Sequence, residues 1–257
     1  TRRCPVKTAV VSVNQKLHQI NVCDILSPPF STAKPSHYTC NIEYLGNPYS
    51  ITWTGSQIHP DLSLFPNGPD YKPQKIALSP EISAIWSTSK LVNCGADAVL
   101  RCSHKVIYPI TKLAHPGREF RLRIQHEIEM MREMNAGEQS LPISKVDGHA
   151  LFDDQGIFGY RMEYLIRLEM GELSRRMSEV RDAVARLHRA GFSHGDLSNP
   201  TNIMKGKEGD IVLIDFGCAG KIGRSVPGAV PSWVYQGAIV TADTDLQALE
   251  RLAASNL

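Results

Sequence analysis

Residues Gly191 to Gly220 read GFSHGDLSNPTNIMKGKEGDIVLIDFGCAG, and the reading of the whole chain turns on them. Three of their polar residues stand out in order: Asp196 within His194-Gly195-Asp196, then Asn202, then Asp215 within Asp215-Phe216-Gly217. A helical pattern ending LHRAG leads into them, and the strand-like run IVLI leads into Asp215. The interval from Asn202 to Asp215 suits a loop, a turn and one returning strand. Carboxylate and amide oxygens are hard ligands of the kind magnesium prefers, and that ion keeps several waters, so one acid and one amide suffice to hold it.

Working outward, Leu173, Met177, Val180, Val184 and Leu187 recur at spacings of three and four, which predicts one helix from Glu172 that stops at Gly191. Phe120, Ile124, Ile128, Met131 and Met134 form a second such stripe and predict a helix over Arg118 to Met134. Val99 to Arg101, Val106 to Ile110, Gly159 to Leu165 and Asp210 to Ile214 are the strand candidates, with a turn at Cys102 to Lys105. A terminal helix is expected near Thr244 to Ala254. Before residue 79 the texture changes. Short β-branched runs (Thr8 to Val13, Ile51 to Trp53) mix with turn formers, and HPDLSLFPNGPDYKPQK, His59 to Lys75, reads as a loop or linker.

The order HGD, Asn202 and DFG resembles the protein-kinase superfamily, whose catalytic loop and magnesium-binding triplet these residues match. The resemblance implies an α+β, two-lobed protein-kinase-like fold over 79–257, with an N-lobe to about 162, a shortened C-lobe and an unassigned, β-rich or irregular segment at 1–78. The substrate-side helices would follow Leu257. It also implies ATP and magnesium as cofactors and transfer of the γ-phosphoryl group to a hydroxyl, a protein serine or threonine first. Asp196 would orient the acceptor hydroxyl, while Asn202 and Asp215 would hold the metal. Asn199 is the competing ligand, because the Asp196 to Asn202 interval is one residue longer than the family's. Met162, Glu163 and Leu165 would form the hinge against adenine. Glu127 matches the glutamate that orients the nucleotide-clamping lysine. Asp245 resembles the aspartate that braces the catalytic loop, although an acid there also reads as a helix cap. His194 is expected to pack against Phe216 and the loop backbone, and Cys218 to fill a small buried space.

Three positions depart from the pattern. Only Gly95, just before Val99, could serve as the glycine-rich loop over the phosphates. Tyr108 stands where the third-strand lysine is expected, so the candidate cations become Lys105 and Lys112, with Arg101 on the preceding strand. An uncompensated loss would leave a slow enzyme, or a nucleotide-binding pseudokinase serving as a scaffold module. Gly195 replaces the arginine that often receives an activation-segment phosphate, and also occurs in small-molecule kinases of the same broad fold.

Composition excludes several other classes. Lys and Arg number 28 against 26 Asp and Glu, for a net charge of +2, so whole-chain charge points to neither a nucleic acid nor an acidic membrane as partner. The six cysteines (Cys4, Cys23, Cys40, Cys94, Cys102, Cys218) show no CxxC and no zinc spacing, which favours free thiols in a reducing, intracellular compartment, cytoplasmic or nuclear. No apolar run is long enough to span a membrane. A protein substrate is the expected partner.

Overall fold

A computed structural model describes residues 23–25, 30–31, 37–54, 62–103, 106–137 and 140–254. The strand expected at Thr8 to Val13 and the candidate cation Lys105 lie outside the described residues. The chain divides into two units, Thr1–Val99 and Leu100–Leu257. Among the described residues the fold is mixed α+β, with five α-helices and several antiparallel sheets. None of those helices is long and apolar enough to cross a membrane. Cys40, Cys94, Cys102 and Cys218 are free thiols.

The first unit carries strands β1 (Cys23–Ile25), β2 (Phe30–Ser31), β3 (His37–Tyr44), β4 (Asn47–Thr54) and β5 (Tyr71–Lys75), ordered β1-β3-β4-β5 with β2 also on β3. Leu45 and Gly46 both have positive φ, 48° and 71°, the geometry of a two-residue turn whose twist suits a hairpin. Period-two alternation then buries Cys40 and Ile42 on β3 and Ile51 and Trp53 on β4, with Phe65 and Tyr71 completing the cluster. Burial pushes the Cys40 thiol up to about 12. The His59 to Lys75 stretch is therefore more than a linker: Phe65 is a core residue and Tyr71–Lys75 is a strand. Pro73 hid it. Proline cannot donate to a ladder, but β5 is an edge strand that needs donors on one side only. Helix α1 (Pro80–Thr88), which the hydrophobic stripes did not single out, starts with Ser79 accepting from the Ile82 N–H and proline at its first position. Strands β6 (Lys90–Cys94) and β7 (Ala98–Cys102) form the next hairpin, and the division between units falls inside β7.

In the second unit β8 (Ile110–Ala114), helix α2 (Arg118–Asn135), β9 (Leu151–Asp153) and β10 (Gly156–Met162) follow, with β10 antiparallel between β8 and β9. The strand expected at Val106 to Ile110 begins only where that segment ends. Val106 and Ile107 are exposed and lie in a bend, and the strand starts after Pro109. Two adjacent β-branched residues outweighed the proline in the sequence reading, whereas in the fold the missing proline N–H marks the strand boundary. Gly159 to Leu165 is likewise shifted: β10 ends at Met162, and Leu165 is buried outside it.

Strand β11 (Ile166–Arg167), helices α3 (Met170–Arg175) and α4 (Met177–Arg189), β12 (Phe192–Ser193), β13 (Ile203–Lys205), β14 (Ile211–Leu213), β15 (Gly220–Lys221) and helix α5 (Asp243–Ala254) complete the chain. The single helix expected from Glu172 to Gly191 is two, broken at Arg176, whose guanidinium reaches Glu179, Glu172 and the Gly209 carbonyl. The apolar stripe survives the break: Leu173, Val180, Val184 and Leu187 are all fully buried. Pair β12-β15 holds the chain as it enters the Asp196 loop, and sheet β11-β13-β14 holds it as it leaves. Those short strands set the positions of the acids.

Candidate functional site

Four separate stretches converge in the second unit. β8 brings Lys112, α2 brings Glu127, β10 brings Tyr160, and the turn after β14 brings Asp215. The Lys112 ammonium lies 2.9 and 2.8 Å from Glu127 Oε1 and Oε2 and 2.8 Å from Asp215 Oδ1. Glu127 falls inside the apolar stripe of α2, between Ile124 and Met131, and is 1% exposed. A buried carboxylate is tolerable only when paired and hydrogen-bonded, and here Tyr160 Oη donates to Oε1 at 2.9 Å and the Phe216 backbone N–H at 3.0 Å.

The electrostatics follow from this packing. Burial works against the Lys112 charge, but Asp215 and Glu127 together outweigh it and hold the ammonium well above its usual value. Burial pushes the Glu127 carboxyl up, with Lys112 opposing. Asp215 also feels burial, yet the Lys112 ammonium wins and keeps its carboxyl below the ordinary range. Its backbone is left-handed, φ 69° and ψ 64°, which is uncommon for any residue with a Cβ and concentrates at functional positions.

The other acid sits on the loop after β12. Asn202, buried at the end of a short 3-10 turn (Pro200–Asn202), donates through its amide nitrogen to the Asp196 backbone carbonyl at 2.9 Å and to Asp196 Oδ2 at 3.1 Å. Those bonds leave the Asn202 amide oxygen out. Asn199, the competing ligand, instead spends its amide oxygen on Thr201, 3.2 Å from the N–H and 2.7 Å from the hydroxyl. Burial raises the Asp196 carboxyl, with the Asp215 charge adding and the bond from Asn202 opposing.

No family model and no curated protein matches this chain.

The loop is braced from beneath. Asp245, fully buried in the first turn of α5, accepts from the His194 N–H at 2.8 Å, the Gly195 N–H at 2.8 Å and the Ser193 hydroxyl at 3.0 Å, and pairs with His188 Nε2 at 2.9 Å. Its carboxylate thus reaches across to another segment. Burial opposes the charge, but His188 and the donated backbone bonds hold the carboxyl below its usual value. A depressed carboxyl contributes stability that is present above its unfolded value, about pH 4, and is lost as pH falls through the lower folded one. The stability gap between the parent chain and Asp245→Asn is therefore expected to be widest near neutral pH and to narrow below about pH 4, as read by urea titration at stepped pH.

His194 packs its ring 4.8 Å from that of Phe216; its Nε2 donates to the Ile214 carbonyl, leaving Nδ1 to accept the Asp196 N–H. Gly195 has φ 79°, and a methyl there would run into the Cys218 carbonyl oxygen. That carbonyl also accepts the Tyr235 hydroxyl at 3.0 Å. The glycine is thus required by close packing as well as by its backbone angle. Gly195→Ala is expected to cost about 2 kcal/mol or more, measured by denaturant unfolding.

The remaining candidates are spread out. Met162 is buried at the end of β10, and Glu163 exchanges bonds with Lys145: its N–H donates to the Lys145 carbonyl and its side chain accepts the Lys145 N–H. Tyr108 lies in the bend before β8. Gly95 and Val99 belong to the first unit, Gly95 donating to the Ala98 carbonyl in the β6-β7 turn and Val99 buried on β7. Tyr160 is a functional candidate that only the structure adds; its sequence signal is a tyrosine two residues before Met162, on a strand otherwise apolar on that face.

Proposed function

We propose that this chain is a protein-kinase-like, two-lobed phosphotransferase that moves the γ-phosphoryl group of ATP to a hydroxyl, first of all a protein serine or threonine. The observation that carries the reading is the Lys112 ammonium held between Glu127 and Asp215. Phosphoryl transfer asks a protein for positioned charge more than for covalent chemistry. A lysine fixed by a buried glutamate is a cation kept in place for phosphate oxygens. The place of Tyr108 in the expected strand was the main argument for an inactive relative. The strand starts at Ile110, two residues after Tyr108, and carries Lys112, which supports an active site.

The residues present suit magnesium. Asp215 keeps one carboxylate oxygen clear of Lys112 and its side chain is 45% exposed, and Asn202 keeps its amide oxygen outside the bonds to Asp196. Magnesium prefers hard oxygen ligands and keeps several waters, so one carboxylate and one amide oxygen suffice when phosphate supplies the rest of its shell. Bound there, magnesium would neutralise charge on the phosphates. Asp196 supplies the acceptor for the attacking hydroxyl's proton, and Asn202 holds that carboxylate in place.

Thermal-shift titration with ATP and magnesium tests binding, and radiolabel transfer to a mixed protein acceptor tests chemistry. Stabilisation by ATP together with labelled serine or threonine is the expected result. No stabilisation at millimolar ATP would sink the reading. Binding without transfer would assign a scaffold, and label on sugars or amino alcohols alone would assign a small-molecule kinase.

A further inference from the structure

Lys112 and Tyr160 are direct cross-strand partners on the antiparallel pair β8 and β10. Opposed residues send their side chains out on the same face of a sheet, and here both reach the same carboxylate on α2. Glu127 Oε1 accepts three donors from three segments: Lys112 Nζ at 2.9 Å, Tyr160 Oη at 2.9 Å and the Phe216 N–H at 3.0 Å. Tyr160 is buried, 2% exposed, beside Glu127 at 1%, so water does not compete for these bonds. Burial and the neighbouring Glu127 charge keep the phenol protonated far above its usual range, so it donates at every working pH.

The last torsion of a glutamate is broad and roughly two-fold, so an ammonium on a flexible stem does not by itself fix the carboxylate plane. A phenol on a rigid ring, anchored in the neighbouring strand, does. We infer that Tyr160 is a positioning residue: its hydroxyl locks the Glu127 carboxylate so that one oxygen serves Phe216 and both serve Lys112, joining the sheet, α2 and the Asp215 segment into one unit. Its kinetic consequence rests on the phosphotransferase reading; the contact itself does not.

Tyr160→Phe in the full chain keeps the ring and removes only the donor. A kcat for phosphate transfer lower by about 10- to 100-fold, with KM for ATP within threefold, is expected, in the range seen when a supporting group behind a functional side chain is lost. In a Glu127→Met background, which leaves no oxygen to accept the phenol, the same change should alter kcat less than twofold, because the two residues act through one contact. A nucleotide-free measurement accompanies these. In ¹⁵N-labelled protein the Phe216 amide should move and exchange about tenfold faster in Tyr160→Phe, while the amides of α4 stay unchanged. An unaltered Phe216 amide overturns the inference whatever the kinetics. So does an equal loss of kcat with and without Glu127, the mark of general loosening. A parent chain that transfers no phosphate, but whose Phe216 amide responds to Tyr160→Phe, removes the phosphotransferase reading and leaves the Tyr160 contact standing.

Discussion

Lys112→Met is expected to lower ATP turnover by about 10²- to 10³-fold, the usual loss when one preorganised charge stabiliser is removed, and to destabilise the fold at the same time. The two effects have one origin. Methionine fills much of the lysine stem but leaves Glu127, 1% exposed, without its counter-ion. Removing one partner of a buried pair commonly costs about 3–5 kcal/mol, because the other charge stays buried. Asp215 is far more open to solvent and contributes little to that penalty. Pairing Lys112→Met with Glu127→Gln separates the effects: stability should return in large part, since no uncompensated charge remains, whereas turnover should not. Chemical denaturation and steady-state kinetics on the same preparations check this. Unchanged turnover in Lys112→Met would remove the cation from the chemistry.

For Asp196→Asn the expected loss is about 10²- to 10⁴-fold in kcat, the range for removing a positioned general base, with ATP affinity held within a few-fold because the role we propose for it lies with the acceptor hydroxyl rather than the nucleotide. Its stability should move the other way. Burial and the Asp215 charge hold the Asp196 carboxyl above its ordinary value, so the folded state disfavours the ionised form, and stability is lost as pH rises through that raised value. An asparagine of the same shape escapes this penalty and should match or exceed the parent in melting temperature at pH 7. A less stable variant with unchanged kcat would assign Asp196 to the architecture instead.

Much of this arrangement was legible beforehand because it is local. Hydrophobic stripes at spacings of three and four foretold α2 and the buried face running through α3 and α4, since that periodicity follows from helix geometry alone. The order of Asp196, Asn202 and Asp215 pointed to a loop and returning strand, and β13 and β14 occupy that interval. Strand boundaries near Pro109 and Pro73 were misread, because β propensity and proline act in opposite directions there. Which of them prevails depends on whether a neighbouring strand needs the missing N–H, a non-local fact.

Local order thus fixed the types of side chain on each segment and the stripes that bury α2 and α4. Their partnerships came from tertiary packing. No spacing rule could select Lys112 among the nearby cations, because its neighbours Glu127 and Asp215 arrive from a helix and from a turn 103 residues away. Nor could any rule mark Glu127 as buried, Tyr160 as its donor, or the Asn202 amide nitrogen as a donor to Asp196. The reason is physical: a charge is fixed by what surrounds it in three dimensions once water is excluded, and that surrounding is assembled only when distant strands pair and α2 closes over them.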